Sequence, residues 1–311
     1  SIYAPLQGYT DAAYRQAHSL YLRRYRHLVI TPFVRVEHGE IRRKDIRDIN
    51  PENNRNIHLI PQLIAPQPST LEQIVSLFIE HNYQEADINL GCPFPMLAKR
   101  HNGAGMLPYP EEIKELLTAA TEKYPQIRFS VKLRLGWENA NECLALLPLL
   151  NTLPLSHIIL HPRLGKQQYK GEVDLNGFEA FYHGCDKPLL YNGDLHTIED
   201  IQTVTERFPR LAGVVIGRGL LANPALAWEY QQNRKLSPDE MLSKVKQLHT
   251  AIYNSYEEQL QGGETQLLMK MKNFWEYLLP NGNRKAKKTI HKTSKLTNYR
   301  IAVNDLLSSY Q

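Results

Sequence analysis

Residues 57–89 read IHLIPQLIAPQPSTLEQIVSLFIEHNYQEADIN. IHLIPQL (57–63) is a short apolar run of strand length, and ADIN (86–89) is another. Between them, STLEQIVSLFIEH (69–81) opens with Ser and Thr at the cap position. It carries Leu71, Ile74, Val75, Phe78 and Ile79 on one helical face. Strand, helix, strand is the building unit of a parallel sheet.

The alternation continues in both directions. Upstream lie IYAP (2–5) and HLVITPFV (27–34); downstream lie FSVKLR (129–134), HIILH (157–161), PLLYN (188–192) and GVVIG (213–217). PEEIKELLTAATEKY (110–124) starts with proline and two acids, the composition favoured in a first helical turn, and HTIEDIQTVTERF (196–208) follows the same logic. Eight strands, each followed by a helix or a long loop, predict an α/β fold, a (β/α)8 TIM barrel, over residues 1–235. No GxGxxG follows the first strand, so a doubly wound open sheet fits less well. From 236 the pattern changes. SPDEMLSKVKQLHTAIYNSYEEQL (237–260) and ETQLLMKMKNFWEYLL (264–279) read as helices joined by QGG, and a basic tail follows. Residues 236–311 therefore predict a small C-terminal helical domain.

A chain of 311 residues, 42% hydrophobic and 22% charged, has the composition of a soluble globular protein. No apolar run approaches the ~18 residues of a membrane helix, and LALLPLL (144–150) is broken by Pro148. SIYAPLQG shows no basic stretch followed by an apolar one, so no export signal is expected. Cys92, Cys143 and Cys185 lie far apart without CxxC spacing, which argues against a disulfide framework or a structural zinc site. Cytoplasmic location, no metal, no membrane partner and a monomeric state are the expectations. Net charge is +5, and its distribution says more than its size. The stretch 281–300 holds Arg284, Lys285, Lys287, Lys288, Lys292, Lys295 and Arg300 with no acid. It is either a solvated basic face or a surface for a polyanion.

Barrel active sites form at the C-terminal ends of the strands. Those ends carry Gln7, Thr31, Gln62, Asn89, Lys132 with Arg134, His161, Asn192 with Asp194, and Arg218. Each alone could be structural; eight polar strand ends together are hard to explain by packing. YNGDL (191–195) and VIGRGLLANP (215–224) have glycines that let backbone N–H groups approach an anion, and Arg218 offers a fork for phosphate oxygens. Tight strand–helix turns are the competing reading. In FSVKLRLGW (129–137), Lys132 and Arg134 share one strand face. A cation there suits the electron-rich edge of a flavin or a carbonyl, and equally a Schiff-base lysine of an aldolase. Cys92, in DINLGCPFP (87–95), could serve packing, metal chemistry or catalysis.

Together these motifs resemble the tRNA-dihydrouridine synthases. The resemblance runs through APLQGYTD (4–11), TPFVRV (31–36), PQLIA (61–65), ADINLGCP (86–93) and GAGML (103–107). It continues through VKLRLGW (131–137), LHPRLGKQQYKG (160–171), YNGD (191–194) and IGRGLLANP (216–224), in the family's order. The resemblance implies an FMN enzyme that reduces selected uridines of tRNA to 5,6-dihydrouridine with NADPH. By position it implies that Pro5, Leu6 and Gln7 line the flavin ring and that Gln62 bonds its edge. Lys132 would sit by the pyrimidine side, with His161 nearby. Asn192, Gly193, Asp194, Gly217 and Arg218 would hold ribityl and phosphate, while Asn89 and Arg134 would meet the substrate. Cys92 would be the general acid, since a thiol with pKa near ~8.5 is protonated at neutral pH yet can give up its proton. Cys143 and Cys185 read as packing residues.

TPFVRV and MKMKNFWEYL (269–278) are most similar to the subfamily acting at position 16, which makes Arg35, Lys270 and Lys272 expected tRNA contacts. Pro162 and Pro32 depart from the family's usual residues, a small one and a glutamate respectively. The alternatives are a flavin barrel acting on a small molecule, of the dihydroorotate dehydrogenase kind, and a barrel that binds RNA without catalysis.

Overall fold

The computed structural model describes residues 2–3, 9–21, 28–259 and 262–310. Its strands begin with β1 (Ile2–Tyr3), β2 (Leu28–Ile30), β3 (Val36–Glu37), β4 (Glu40–Ile41), β5 (His58–Ile60) and β6 (Gln62–Leu63). They continue with β7 (Glu85–Leu90), β8 (Arg128–Gly136), β9 (Ile158–Leu164), β10 (Leu189–Asn192) and β11 (Gly213–Ile216). The helices start with α1 (Ala12–Tyr21), α2 (Arg43–Ile49), α3 (Pro68–Glu80), α4 (Pro95–Ala98) and α5 (Pro110–Lys123). Next are α6 (Glu142–Thr152), α7 (Leu175–Gly184), α8 (Ile198–Arg207), α9 (Arg218–Ala222) and α10 (Leu226–Gln232). The last four are α11 (Pro238–Gln259), α12 (Gly263–Tyr277), α13 (Arg284–Lys292) and α14 (Leu296–Ser308).

The main sheet is parallel, in the order β5-β2-β1-β11-β10-β9-β8-β7-β6. Its two edges are pieces of one run, interrupted where Pro61 has no N–H to offer a ladder. β5 pairs with β2 and β6 with β7, so the ring closes as an eight-stranded barrel, as the alternation predicts. The Pro61 carbonyl still accepts from Asp87 N–H at 3.0 Å, which keeps the broken strand in register. IYAP is represented by Ile2–Tyr3, paired on both sides.

Helix α3 buries Leu71, Ile74, Val75 and Phe78, the face its spacing predicts, and α5 buries Ile113, Leu116, Leu117 and Ala120. Each large apolar side chain removed from water in this way contributes about 1.5–3 kcal/mol. Inside the barrel, Ile30, Ile60, Ile159, Leu190 and Val215 pack as one apolar cluster. β3 and β4 form a separate antiparallel hairpin whose turn, His38 and Gly39, has positive φ at both residues, 53° and 81°. That is the geometry a two-residue hairpin requires.

The residues group into two compact units. The first holds the described parts of Ser1–Pro5, His27–Asp194 and Gln202–Ile216, and therefore the sheet; the second holds the described parts of Leu6–Arg26, Leu195–Ile201 and Gly217–Gln311. In the second unit α1 packs on α11, α11 on α12, and α13 on α14. Its centre is aromatic: Trp275 Nε1–H donates to Tyr299 Oη at 2.9 Å, and His249 Nε2 lies 2.7 Å from the same oxygen.

The basic stretch after 280 reads in sequence as a tail, and the structure corrects this to two helices. Asn283 caps α13 by accepting from the N–H groups of Lys285 and Ala286. Only Ile290 of α13 is buried, so no apolar period announces the helix. Among the described residues no helix is long and apolar enough to cross a membrane.

Candidate active site

Strand alternation places Asp87 and Asn89 of β7, Ser130, Lys132 and Arg134 of β8, and His161 and Arg163 of β9 on one face. Register ties Asp87 to Ser130, Asn89 to Lys132, Lys132 to Ile159, and Arg134 to His161. Ile159 belongs to the interior cluster, so this face is the barrel interior. Half of that interior is apolar, and the half under β6 to β9 is polar.

The polar half is tightly bonded. Gln62 Nε2 donates to Asp87 Oδ2 at 2.7 Å, and Ser130 Oγ donates to Asp87 Oδ1 at 2.7 Å. Asn89 Nδ2 donates to Gln62 Oε1 at 3.0 Å. Arg134 donates to the carbonyls of Leu164 and Gln168 and lies 5.2 Å over the Tyr169 ring. Arg163, 2% exposed, grips Asp194 with both nitrogens at 3.0 and 2.7 Å. It also donates to His161 Nε2, which makes that nitrogen an acceptor.

The YNGD turn is shaped by its neighbours. Gly193 has φ 141°, and a Cβ there would meet Val173 at 3.2 Å and His161 at 3.3 Å. Asp194 follows with φ 51°, a backbone state its doubly bonded carboxylate holds in place. Asn192 Nδ2 donates to the Val215 carbonyl at 3.0 Å, leaving its oxygen for another partner.

Lys132 is half-buried, and its amine makes no hydrogen bond or ion pair among the described residues. Burial lowers its pKa to about 8, with the Asp87 carboxylate opposing that shift. Burial likewise lowers Arg134 to about 10, against the attraction of Tyr169. Asp87 is pushed up by burial, against its bonds from Ser130 and Gln62.

Cys92 sits on a turn just past β7 that is held from three sides. Asn89 Oδ1 accepts from the N–H groups of Gly91 (3.0 Å) and Cys92 (2.8 Å). The Cys92 carbonyl accepts from Ala104 N–H at 2.9 Å. Gly103 has φ 61°, and a Cβ there would fall 2.8 Å from the Cys92 oxygen, so GAGML closes directly onto the cysteine. Burial pushes the thiol pKa up, while the cations of Arg134, Lys132 and Arg35 pull the other way. The thiol is thus kept protonated, and a thiolate formed there faces positive charge. Cys143 is fully buried, in keeping with packing.

Gln62, Asn89, Cys92, Lys132, Arg134, His161, Asn192, Gly193 and Asp194 all belong to the first unit. Arg35 is there too, on the β3–β4 hairpin, where it pairs with Glu37 at 3.2 Å. Gly217 and Arg218 open α9 in the second unit, and Lys270 and Lys272 lie half-buried on α12. Lys270 is 4.0 Å from Asp11. Pro5, Leu6 and Gln7 lie outside the described residues.

Sequence reasoning missed Asp87, Ser130 and Arg163. The alternation that picks out Lys132 and Arg134 reaches all three and was the available signal. It also missed the exposed side of the cysteine loop. Phe94 is 49% and Met96 65% exposed, beside exposed Lys99 and Arg100, and His101 stacks on Tyr109 with ring centres 3.7 Å apart. Among the described residues no group of three or more His, Cys, Asp or Glu side chains could hold a metal ion.

Comparison with known proteins gives the site a context. The family model described as dihydrouridine synthase matches residues 2–311. The tRNA-dihydrouridine synthase B of Vibrio cholerae is 27% identical over 207 residues, covering 64% of this chain and 64% of that protein. The tRNA-dihydrouridine(16) synthase of Haemophilus ducreyi is 27% identical over 248 residues, covering 77% of this chain and 75% of that one. The chain spans less than two thirds of the length of the Vibrio cholerae relative it matches. Among solved structures, the old yellow enzyme from Trypanosoma cruzi superimposes with a TM-score of 0.52 at 12% identity. It covers 78% of this chain and 91% of that one, a likeness of fold.

Proposed function

The chain belongs to the dihydrouridine synthase family, and on that premise we propose that it reduces a uridine of tRNA to 5,6-dihydrouridine, using a flavin re-reduced by NADPH. The observation that carries the reading is Cys92: a thiol held protonated by burial, on a turn pinned by Asn89 and GAGML, at the C-terminal end of a barrel strand. The named relatives support the substrate.

The interior fits FMN. A Lys132 amine and an Asn192 oxygen that bond nothing among the described residues, with the close backbone at Gly193, match an acceptor-rich ring and its polar chain. Pro5, Leu6, Gln7, Gln62 and His161 would complete the ring's surroundings, and Asp194, Gly217 and Arg218 the phosphate end. When bound, the flavin supplies a hydride to C6 of the uracil.

The protein's own part is the proton. The S–H bond of Cys92 breaks as a C–H bond forms at C5, and the sulfur keeps the electron pair. Lys132 and Arg134 stabilise the resulting thiolate until solvent returns a proton. A target base must leave the stack to reach such a pocket. The exposed Phe94 and Met96, with Lys99 and Arg100, offer an apolar and cationic surface beside the cysteine for neighbouring nucleotides. Residues 236–311, with Lys270, Lys272 and the basic helix α13, would follow the phosphates, with Arg35 adding a contact on the barrel side.

Position 16 is the proposed target, on the TPFVRV and MKMKNFWEYL segments and the Haemophilus ducreyi relative. Incubation with FMN, NADPH and unmodified tRNA, followed by dihydrouridine mapping, tests the whole reading. Signal confined to position 16 is expected. Flavin-loaded protein that oxidises NADPH without modifying any tRNA would instead favour a small-molecule substrate.

A further inference from the structure

The hydrogen bonds inside the barrel run in one sense. Cys92 N–H and Gly91 N–H donate to Asn89 Oδ1, at 2.8 and 3.0 Å. Asn89 Nδ2 donates to Gln62 Oε1 at 3.0 Å, and Gln62 Nε2 donates to Asp87 Oδ2 at 2.7 Å. Ser130 Oγ occupies the other carboxylate oxygen at 2.7 Å. Two side-chain amides lie in the middle of this chain. An amide offers an oxygen at one end and N–H groups at the other, and a rotation of half a turn exchanges them.

Both Asp87 oxygens accept here, one from Ser130 Oγ and one from Gln62 Nε2, so Asp87 meets Gln62 nitrogen first. That turns Gln62 Oε1 toward residue 89 and admits Asn89 in one sense as well. Asn89 Oδ1 is then left facing the turn that carries the thiol. The Asn89 amide is fixed from both ends, by Gln62 Oε1 on one side and by the donor-only N–H groups of Gly91 and Cys92 on the other, whereas the Gln62 amide takes its sense from Asp87. Thr31 Oγ1 accepts from the backbone N–H of Gln62, not from its side chain.

We propose that Asp87 is a positioning residue for Cys92: through Gln62 and Asn89 it sets the direction of a hydrogen-bond relay that holds the thiol-bearing turn. The inference rests on the reading of Cys92 as proton donor for its catalytic meaning, while the relay itself stands on the geometry. It makes a specific demand. Position 87 must accept a hydrogen bond; it need not carry a charge. Asp87→Asn can turn its oxygen to Gln62 Nε2 and its nitrogen to Ser130 Oγ, which rotates to accept. Asp87→Ala has no acceptor to offer.

The test is hydrogen exchange of the Gly91 and Cys92 amides in flavin-free protein, with the amides of β9 as internal control. In Asp87→Ala, exchange at 91 and 92 should quicken about tenfold, the loss of one hydrogen bond of about 1.4 kcal/mol, with β9 unchanged. Asp87→Asn should stay within about twofold of wild type. In the loaded enzyme, Asp87→Ala should lower the rate at which tRNA reoxidises the reduced protein, leaving its reduction by NADPH unaltered. If Asp87→Ala does not fold, Gln62→Met breaks the relay one link later, and its readout is the exchange at 91 and 92 in flavin-free protein alone. Unchanged exchange at 91 and 92 in Asp87→Ala, or Asp87→Asn as disturbed as Asp87→Ala, overturns the proposal. Failure of wild-type protein to make dihydrouridine would overturn the functional reading instead, because the exchange measurement involves neither flavin nor tRNA.

Discussion

Two sets of cations in this chain have opposite surroundings. Lys132, Arg134 and Arg163 lie in the barrel interior, where burial lowers the pKa of the first two and carbonyls or a carboxylate engage the arginines. On α13 and the turn after it, Arg284, Lys285, Lys288, Lys292 and Lys295 are exposed to water. The difference shows which job each set can do. Buried charge acts over a few ångströms and is scarcely screened, so it can stabilise one thiolate or hold one ligand. Exposed charge is screened and non-specific, which suits a surface that follows phosphates. Arg284 and Lys285 even occupy the first turn of α13, where cations oppose the helix dipole. Helix stability does not account for them.

The largest test of the contrast is on the barrel side. Cys92→Ala should retain flavin and its reduction by NADPH, yet lose about 10²- to 10⁴-fold in turnover of tRNA, the usual contribution of a positioned general acid. The loss should be the same at low and high salt. Single-turnover reoxidation of the reduced protein by tRNA would measure it, and wild-type rates in this variant would remove Cys92 from the chemistry.

On the helix side the expectation inverts. Replacing Arg284, Lys285, Lys288, Lys292 and Lys295 together by Ser should weaken tRNA binding about 10- to 100-fold at 0.1 M salt. It should flatten the plot of affinity against salt by about one unit for each cation that touches a phosphate. Flavin content should not move. A binding titration over several salt concentrations decides it, and an unchanged slope would return the basic stretch to a merely solvated face.

The second unit also carries a pH dependence of its own. Burial lowers His249 to about 4, below the ~6.5 of an exposed histidine. Unfolded chain therefore binds the proton first as pH falls, and stability is full above about 6.5 and declines toward 4. The decline should be about 3.5 kcal/mol at most, from about 1.4 kcal/mol per pKa unit. His249→Gln should flatten it when denaturant midpoints are compared at pH 7 and pH 5. An equal pH dependence in both proteins would show that another group is responsible.

The same contrast explains what could be read from sequence. The barrel was legible because its strands are apolar runs divided by amphipathic helices such as α3, and because closure needs only local pairing once eight are present. The candidate site was legible where a residue is odd in its setting, as Cys92 and Lys132 are. Asp87 and Ser130 were overlooked because a short polar residue in a strand looks like any solvent-facing one until register shows which side is the interior. The helices after residue 280 were hidden for a different reason. With Ile290 alone turned inward, α13 rests on an asparagine cap and on the packing of α14, neither of which leaves a period in the sequence.

Lys287 is the exception that sharpens the comparison most finely. It lies among the exposed cations of α13, yet its amine donates to the carbonyl of Leu278 at 2.7 Å and approaches that of Leu279 at 3.4 Å. Those carbonyls follow the last turn of α12, where helix ends leave acceptors unsatisfied. Partial burial lowers its pKa, as expected of an amine turned away from water. Lys287 therefore belongs with the structural cations in function and with the basic stretch only in sequence. Lys287→Met keeps the stem and removes the donor. It should cost about 1 kcal/mol, the value of a charge-assisted hydrogen bond reduced by its access to solvent. A chemical denaturation midpoint would register that loss, while the salt slope of tRNA binding should match wild type. If the slope fell and the midpoint did not, Lys287 would rank with its exposed neighbours, and position in the sequence would have predicted its role better than its hydrogen bonds do.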